Sequence, residues 1–191
     1  MVFFKSCGLK KTLEITLGFE EERFKTMVTK ENQIRKIRIV LAVFVIGLVL
    51  SGLTAFPLLT EVRYTLSLCP DAQQPTPSFF TAWLLKVYDA LLVVDKNYPF
   101  LPYGTDWLAF AHLVIAIAFI GPWRDPVKNI WVIGFGLIAC AAVIPLAIIA
   151  GQFREIPFWW RLIDCSFGVF GAIPLIIVRR MITTLIKIKD N

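Results

Sequence analysis

The chain has 191 residues, 57% of them hydrophobic, and its mean hydropathy of +0.69 is too high for an ordinary soluble domain. Its length suits a single domain. The formal net charge is +6, but the basic residues flank apolar runs and form no aromatic-and-basic motif or helix-turn-helix pattern, so no nucleic-acid partner is expected.

The first 38 residues are polar and charged, and they are predicted to form a cytoplasmic N-terminal arm, residues 1–38. Met27 begins a short basic lead into the first apolar run, whereas residues 1–26 contain scattered Phe and an acidic stretch. Two interpretations stay open. Either Met27 is the true start and residues 1–26 are an upstream over-extension, or residues 1–26 are a genuine amphipathic arm.

Four apolar runs follow, at residues 39–59, 107–123, 130–151 and 156–178. A helix needs about 20 apolar residues to cross the hydrocarbon core of a bilayer. Backbone polar groups in lipid must be paired within the segment, so each run is predicted to be a helix. The predicted fold is therefore an all-α membrane protein, with four transmembrane helices in an antiparallel bundle over residues 39–178.

Residues 60–105, an external segment, separate the first two spans. Ser78 is the expected N-cap of a helix over residues 78–94. This helix is short for a span and has Lys86 and Asp89 at its middle. It is therefore predicted to be an interfacial helix that lies at the outer membrane surface or caps the bundle.

The distribution of Lys and Arg predicts that both termini are cytoplasmic. Fifteen of the 20 Lys and Arg then lie inside, in the arm, in the loop 124–129 and in the basic tail 179–191. The size and topology resemble those of small four-span bacterial inner-membrane proteins, which implies an integral protein of the bacterial cytoplasmic membrane. This resemblance rests on size and topology alone and implies no activity.

Four polar residues are predicted to share one depth in the outer leaflet: Asp106, His112, Arg161 and Asp164. His112 lies about 9 Å along its helix from Asp106, and Arg161 and Asp164 lie about 6 and 10 Å past Pro157. Arg161 and Asp164 are three residues apart and are predicted to pair on one helix face. The cluster is either an outward-facing pocket for a headgroup, an anion or a proton, or a structural polar latch.

No catalytic set, metal site or cofactor is predicted. A single histidine excludes a bis-histidine haem within the chain, and the three methionines lie at the cytoplasmic end, away from His112. A zinc site on His112, Asp106 and Asp164 has no support from ligand spacing. The chain also lacks a P-loop and a glycine-rich dinucleotide motif.

Small residues along the third and fourth spans permit close helix approach, either within the chain or in a homodimer. They are Gly134, Gly136, Ala139, Ala141, Ala142, Ser166, Gly168, Gly171 and Ala172.

The predicted function is that of a non-enzymatic accessory or interaction subunit in the lipid bilayer. Its partner would be another protein or a second copy of the chain, bound through spans three and four or through the external helix. Two alternatives stay open: a small transporter or lipid- or solute-binding protein that uses the polar cluster, and a membrane-embedded enzyme on the same residues.

Overall fold

The computed structural model describes the backbone of residues 3–190 and the side chains of residues 20–25 and 27–187. The structure is 83% helical, and the described part contains no strand. The interpretations that concern the start of the chain depend on residues 1–26, whose side chains lie mostly outside the described part. The described helices are α1 (Phe3–Thr54), α2 (Leu58–Ser67), α3 (Phe79–Asn97), α4 (Tyr103–Ala118), α5 (Ile120–Arg124), α6 (Ile130–Phe153) and α7 (Phe158–Asp190).

Four helical stretches are long and apolar enough to cross a membrane: Glu20–Thr54, Tyr103–Arg124, Ile130–Phe153 and Phe158–Lys187. Their number and order agree with the four predicted spans. Helix α3 is not among them, and its Lys86 and Asp89 are both exposed. By length and composition, each of the four predicted spans thus corresponds to a helix that could cross a membrane.

The helix boundaries near proline differ from the prediction. Helix α1 ends at Thr54, before the predicted end of the first span, and the separate helix α2 begins at Leu58 directly after Pro57. Proline has no backbone N–H and clashes with the preceding turn, so it interrupts a helix here. The second predicted span is likewise divided, because α4 ends at Ala118 and the short α5 carries Pro122.

Helix α7 continues as one helix through most of the predicted tail 179–191, as far as Asp190. Four apolar residues in its second half are buried, Leu175, Val178, Ile182 and Leu185, each at most 2% exposed. Their spacing of three, four and three residues is the pattern with which one helix packs along another. Helix α1 carries a similar pair, Ile37 and Leu41, both fully buried.

The chain forms two compact units. One is Val43–Ile120, and the other contains the described residues before Val43 and after Ile120. In the first unit, the end of α1 packs antiparallel to α4. The Phe44 and Phe119 rings are 4.8 Å apart, and a Cβ atom on Gly52 would lie 2.9 Å from the His112 Cβ atom.

In the second unit, α6 and α7 form an antiparallel pair. A Cβ atom on Gly168 would lie 2.5 Å from the carbonyl oxygen of Cys140, so glycine lets the two backbones approach closely. Small residues thus serve packing within the chain at this position, one of the two predicted alternatives.

Helix α6 ends in a tight turn that leads directly into α7. The Ile156 amide donates to the Gly151 carbonyl at 2.9 Å, and the Glu155 amide donates to the Gln152 carbonyl at 3.2 Å. Glu155 has a φ of 56°, the left-handed conformation of a Schellman cap. This turn aligns the end of α6 with the start of α7.

Candidate functional site

Asp106 and His112, two of the four predicted site residues, lie on α4. Asp106 is in the first turn of the helix, where the helix dipole favours a negative charge. The His112 Nδ1 atom is 2.8 Å from the carbonyl oxygen of Leu108, one turn earlier. A carbonyl can only accept, so this hydrogen bond requires the tautomer with a proton on Nδ1. His112 thus bonds within its own helix, and its Cβ faces Gly52 of α1.

Arg161 fastens the start of α7 to the end of α6. Its Nη1 donates to the carbonyl oxygen of Ile148 at 3.4 Å, and its guanidinium lies 5.4 Å from the Phe158 ring centroid. The aliphatic stem crosses Gly151 so closely that a Cβ there would lie 2.5 Å from the Arg161 Cδ atom. Its Nε is buried and has no hydrogen-bond partner among the described residues. We name the contact of Arg161 with Gly151 and Ile148 the arginine clasp.

Asp164 is half-buried on α7 and forms no hydrogen bond or ion pair within the described part of the chain. The predicted pair with Arg161 is therefore wrong. The spacing of three residues permits the pair, but Gly151 leaves room for the arginine stem on the neighbouring helix. The Arg161 guanidinium therefore bonds to α6, and Asp164 has no ion-pair partner within the described part of the chain.

The four predicted site residues divide between the two units: Asp106 and His112 lie in one, Arg161 and Asp164 in the other. Their assembly into one cluster stays a prediction. No group of three or more His, Cys, Asp or Glu that could hold a metal ion occurs among the described residues. The Ser166 hydroxyl donates to the Ile163 carbonyl at 2.6 Å, a local bond within α7.

Helices α2 and α3 form a hairpin, residues 58–97, and a polar network centred on Asp71, which the sequence did not indicate, fastens its loop to the start of α3. The Asp71 carboxylate accepts from the Ser78 amide and from the Thr81 hydroxyl, each at 2.7 Å. The Ser78 hydroxyl accepts from the Thr81 amide at 3.3 Å, which confirms Ser78 as the N-cap of α3. Asp71 could have been suspected only from its place in a loop before a cap.

Hydrogen bonds to the Asp71 carboxylate stabilise its charged form. The Thr81 hydroxyl first, and then the Ser78 amide, lower the pKa of Asp71 to about 2 from an ordinary 3.8. A second link lies further along the hairpin, where the Arg63 Nε donates to the Tyr88 hydroxyl at 3.3 Å. The hairpin is therefore fixed at its closed end and along its length.

We expect the network to be pH-dependent and sensitive to Asp71→Ala. The folded-state pKa of Asp71 is depressed, so its contribution is complete above pH 3.8 and is lost as the pH falls towards 2. The protection factors of the Ser78 and Thr81 amides, which compare their hydrogen exchange with that of an unstructured peptide at the same pH, should be high at neutral pH and fall through that window. In Asp71→Ala the protection factors should be low at every pH.

Asp89→Ala is the matched control for this measurement, because Asp89 is an exposed carboxylate on the same hairpin. Exchange at Ser78 and Thr81 should be unchanged in this variant. Slow exchange at these amides in Asp71→Ala would contradict the assigned network.

The hairpin and the segment after it expose large apolar side chains. Tyr64 on α2 and Leu68, the C-cap of that helix, are 66% and 64% exposed and lie one turn apart on a single face. In the following segment, Phe100 is 69% exposed and its ring stacks edge-on with Tyr98 at 6.4 Å. The buried side of the hairpin is small, formed by residues such as Val62, Leu66, Thr81 and Leu84.

No protein-family model matches this chain, and neither a curated protein nor a solved structure is similar enough to count as a match. Function is therefore inferred from the chemistry of the described residues alone.

Proposed function

We propose that this chain is an integral membrane protein with a non-enzymatic role, an accessory or interaction subunit that meets its partner through the α2–α3 hairpin. It would cross the bacterial cytoplasmic membrane four times as an antiparallel bundle with both termini in the cytoplasm. The four apolar helices support the spans. The bias of Lys and Arg towards one side supports the orientation.

The observation that carries this proposal is a hairpin with a fixed backbone and an apolar outer face. The Asp71 network and the Arg63–Tyr88 bond hold the backbone in place. Tyr64 and Leu68 nevertheless remain largely exposed. Exposed apolar side chains on a pre-organised surface favour an interaction site, because little entropy is lost when a partner covers them.

The polar residues of the spans support a structural role over catalysis. His112, Arg161 and Ser166 each use a side-chain donor in a bond to a backbone carbonyl. A catalytic group needs a partner that activates it and a free face towards a substrate. These bonds instead fasten each residue to its own or an adjacent helix.

Site-specific photo-crosslinking in intact membranes tests the proposal. A photoreactive amino acid at Tyr64 or Leu68 should yield the same discrete adduct with a membrane protein, because both positions lie on one exposed face. The control position is Gln73, an exposed polar residue in the loop of the same hairpin. It should yield no such adduct. Adducts with lipid alone would show that the hairpin only rests on the bilayer, and the interaction role would be wrong.

One observation favours a second candidate, a small transporter or solute-binding protein. Asp164 has no described partner, although it lies on a helix apolar enough to span the membrane. An ionisable residue inside a span is costly and commonly marks a proton or solute path. This role would use Asp164 without Arg161, since the arginine is held on α6.

A further inference from the structure

Five exposed basic residues lie at the ends of three helical spans in one compact unit. We name this set the basic collar: Arg35 and Lys36 on α1, Arg124 at the end of α5, and Arg179 and Arg180 on α7. None lies more than four residues from the end of its apolar run, which is about 6 Å of helix. The headgroup layer on each side of the hydrocarbon core is about 5–7 Å deep. The whole collar therefore falls within headgroup reach.

The collar has no carboxylate partners in the described part of the chain. The nearest acidic residue in the loop after α5 is Asp125, and it already pairs with Lys128, at 3.6 Å between Oδ2 and Nζ. Its carboxylate also accepts from the Lys128 amide at 3.1 Å. The cations of the collar are thus left for an external anion.

A surface groove of about 510 Å³ adjoins the collar on α1. Three cations line it, Lys30, Arg35 and Arg38, together with the single carboxylate of Glu31. Met27 and Ile34 add apolar surface to the same groove. Because the groove combines positive charge with apolar surface, it favours an amphipathic anion over a purely polar one.

Arg38 joins the groove to the end of α5. Its Nε donates to the carbonyl oxygen of Trp123 at 3.1 Å, and its Nη2 donates to that of Arg124 at 3.5 Å. Its guanidinium lies 5.5 Å from the Trp123 ring centroid. These contacts place the backbone of Arg124 beside the groove, so the α1 and α5 members of the collar lie close together.

We propose that the basic collar and its groove bind the phosphate headgroups of anionic phospholipids in the surrounding leaflet. The collar lies too near the membrane boundary to wrap a nucleic acid, and Trp123 and Ile34 offer contacts for the glycerol backbone and upper acyl chain. The positive-inside rule requires only that basic residues lie on one side of the membrane. A lipid-binding site requires in addition that they have no carboxylate partners and lie near one another. The inference goes beyond the interaction role and needs only that the chain is inserted in a membrane.

The test is an anisotropy titration of the full-length protein in a neutral detergent, with fluorescent phosphatidylglycerol or phosphatidylcholine as the probe. Phosphatidylglycerol should bind more tightly, and the preference should fall as salt rises. A basic residue near an anionic membrane surface contributes roughly a fivefold gain in binding, so Arg179→Gln with Arg180→Gln should weaken phosphatidylglycerol binding about tenfold or more. Arg179→Lys with Arg180→Lys should restore it.

Lys96→Gln with Arg154→Gln is the matched control, since it removes two exposed cations outside the collar. This variant should bind phosphatidylglycerol like the unmodified protein. Equal binding of the two lipids, or an equal loss in the control variant, would overturn the proposal. Displacement of the lipid by glycerol phosphate would instead indicate a free-phosphate site, and displacement by a short DNA duplex a nucleic-acid surface; either result would also overturn it.

Discussion

Gly168→Ala should destabilise the protein by about 1–3 kcal/mol, the usual cost of forcing an extra group into a packed site. The new Cβ would lie 2.5 Å from the Cys140 carbonyl oxygen. That oxygen belongs to the backbone, so it cannot rotate away and the two helices must separate. The measurement is the midpoint of thermal unfolding in detergent, followed by circular dichroism.

Gly134→Ala on α6 is the control for this substitution. A Cβ atom at Gly134 would meet nothing within 4 Å. Alanine has a higher helix propensity than glycine by about 1 kcal/mol, so Gly134→Ala should be neutral or stabilising. A similar loss of stability in both variants would mean that the close approach of α6 and α7 at Gly168 is not the cause.

Arg161→Met and Asp164→Asn should have opposite effects on stability. Arg161→Met removes the arginine clasp, and we expect a loss of about 1–2 kcal/mol from the hydrogen bond and the contact with the Phe158 ring. Asp164→Asn removes a charge that has no described partner, and a charge within a span costs about 2.5–3.5 kcal/mol on insertion scales. It should therefore raise the unfolding temperature.

Arg154→Met is the control for the clasp, because Arg154 is an exposed arginine in the same turn. Its unfolding temperature should not change. A marked loss of stability in Asp164→Asn would show that Asp164 has a structural partner after all. If the protein transports a solute, Asp164→Asn should abolish uptake in vesicles while the folded protein persists, and Arg161→Met should slow uptake only as far as it reduces the folded fraction.

The features that the sequence predicted best are helix ends that depend on residues close together in the chain. The Ser78 cap needs only the Thr81 amide three residues later, and α3 begins at Phe79 as the cap requires. The start of α6 at Ile130 also agrees with the prediction, because it depends on one uninterrupted apolar run. Short-range patterns of this kind are visible in the order of the residues alone.

The sequence did not predict which of several possible partners a polar side chain would contact. The pairing of Arg161 with Asp164 was predicted from their spacing, but the outcome depends on the absence of a side chain at Gly151 on another helix. Arg38 looked like one more topology signal, yet it bonds to backbone carbonyls more than 80 residues away. The burial of Ile182 within the basic tail was likewise not predictable, because the Arg and Lys residues of this segment dominate its composition.

The unbroken course of α7 has a mechanical consequence. A helix of 33 residues is about 50 Å long, well beyond the roughly 30 Å of a hydrocarbon core, and Pro174 lies within it. The arginine clasp fixes the start of this helix to α6, so a change in the tilt of the whole helix pivots about that end. A tilt of 10° would sweep the far end sideways by roughly 9 Å, as follows from that length. A small adjustment at the α6–α7 turn is thereby enlarged at the far end of α7.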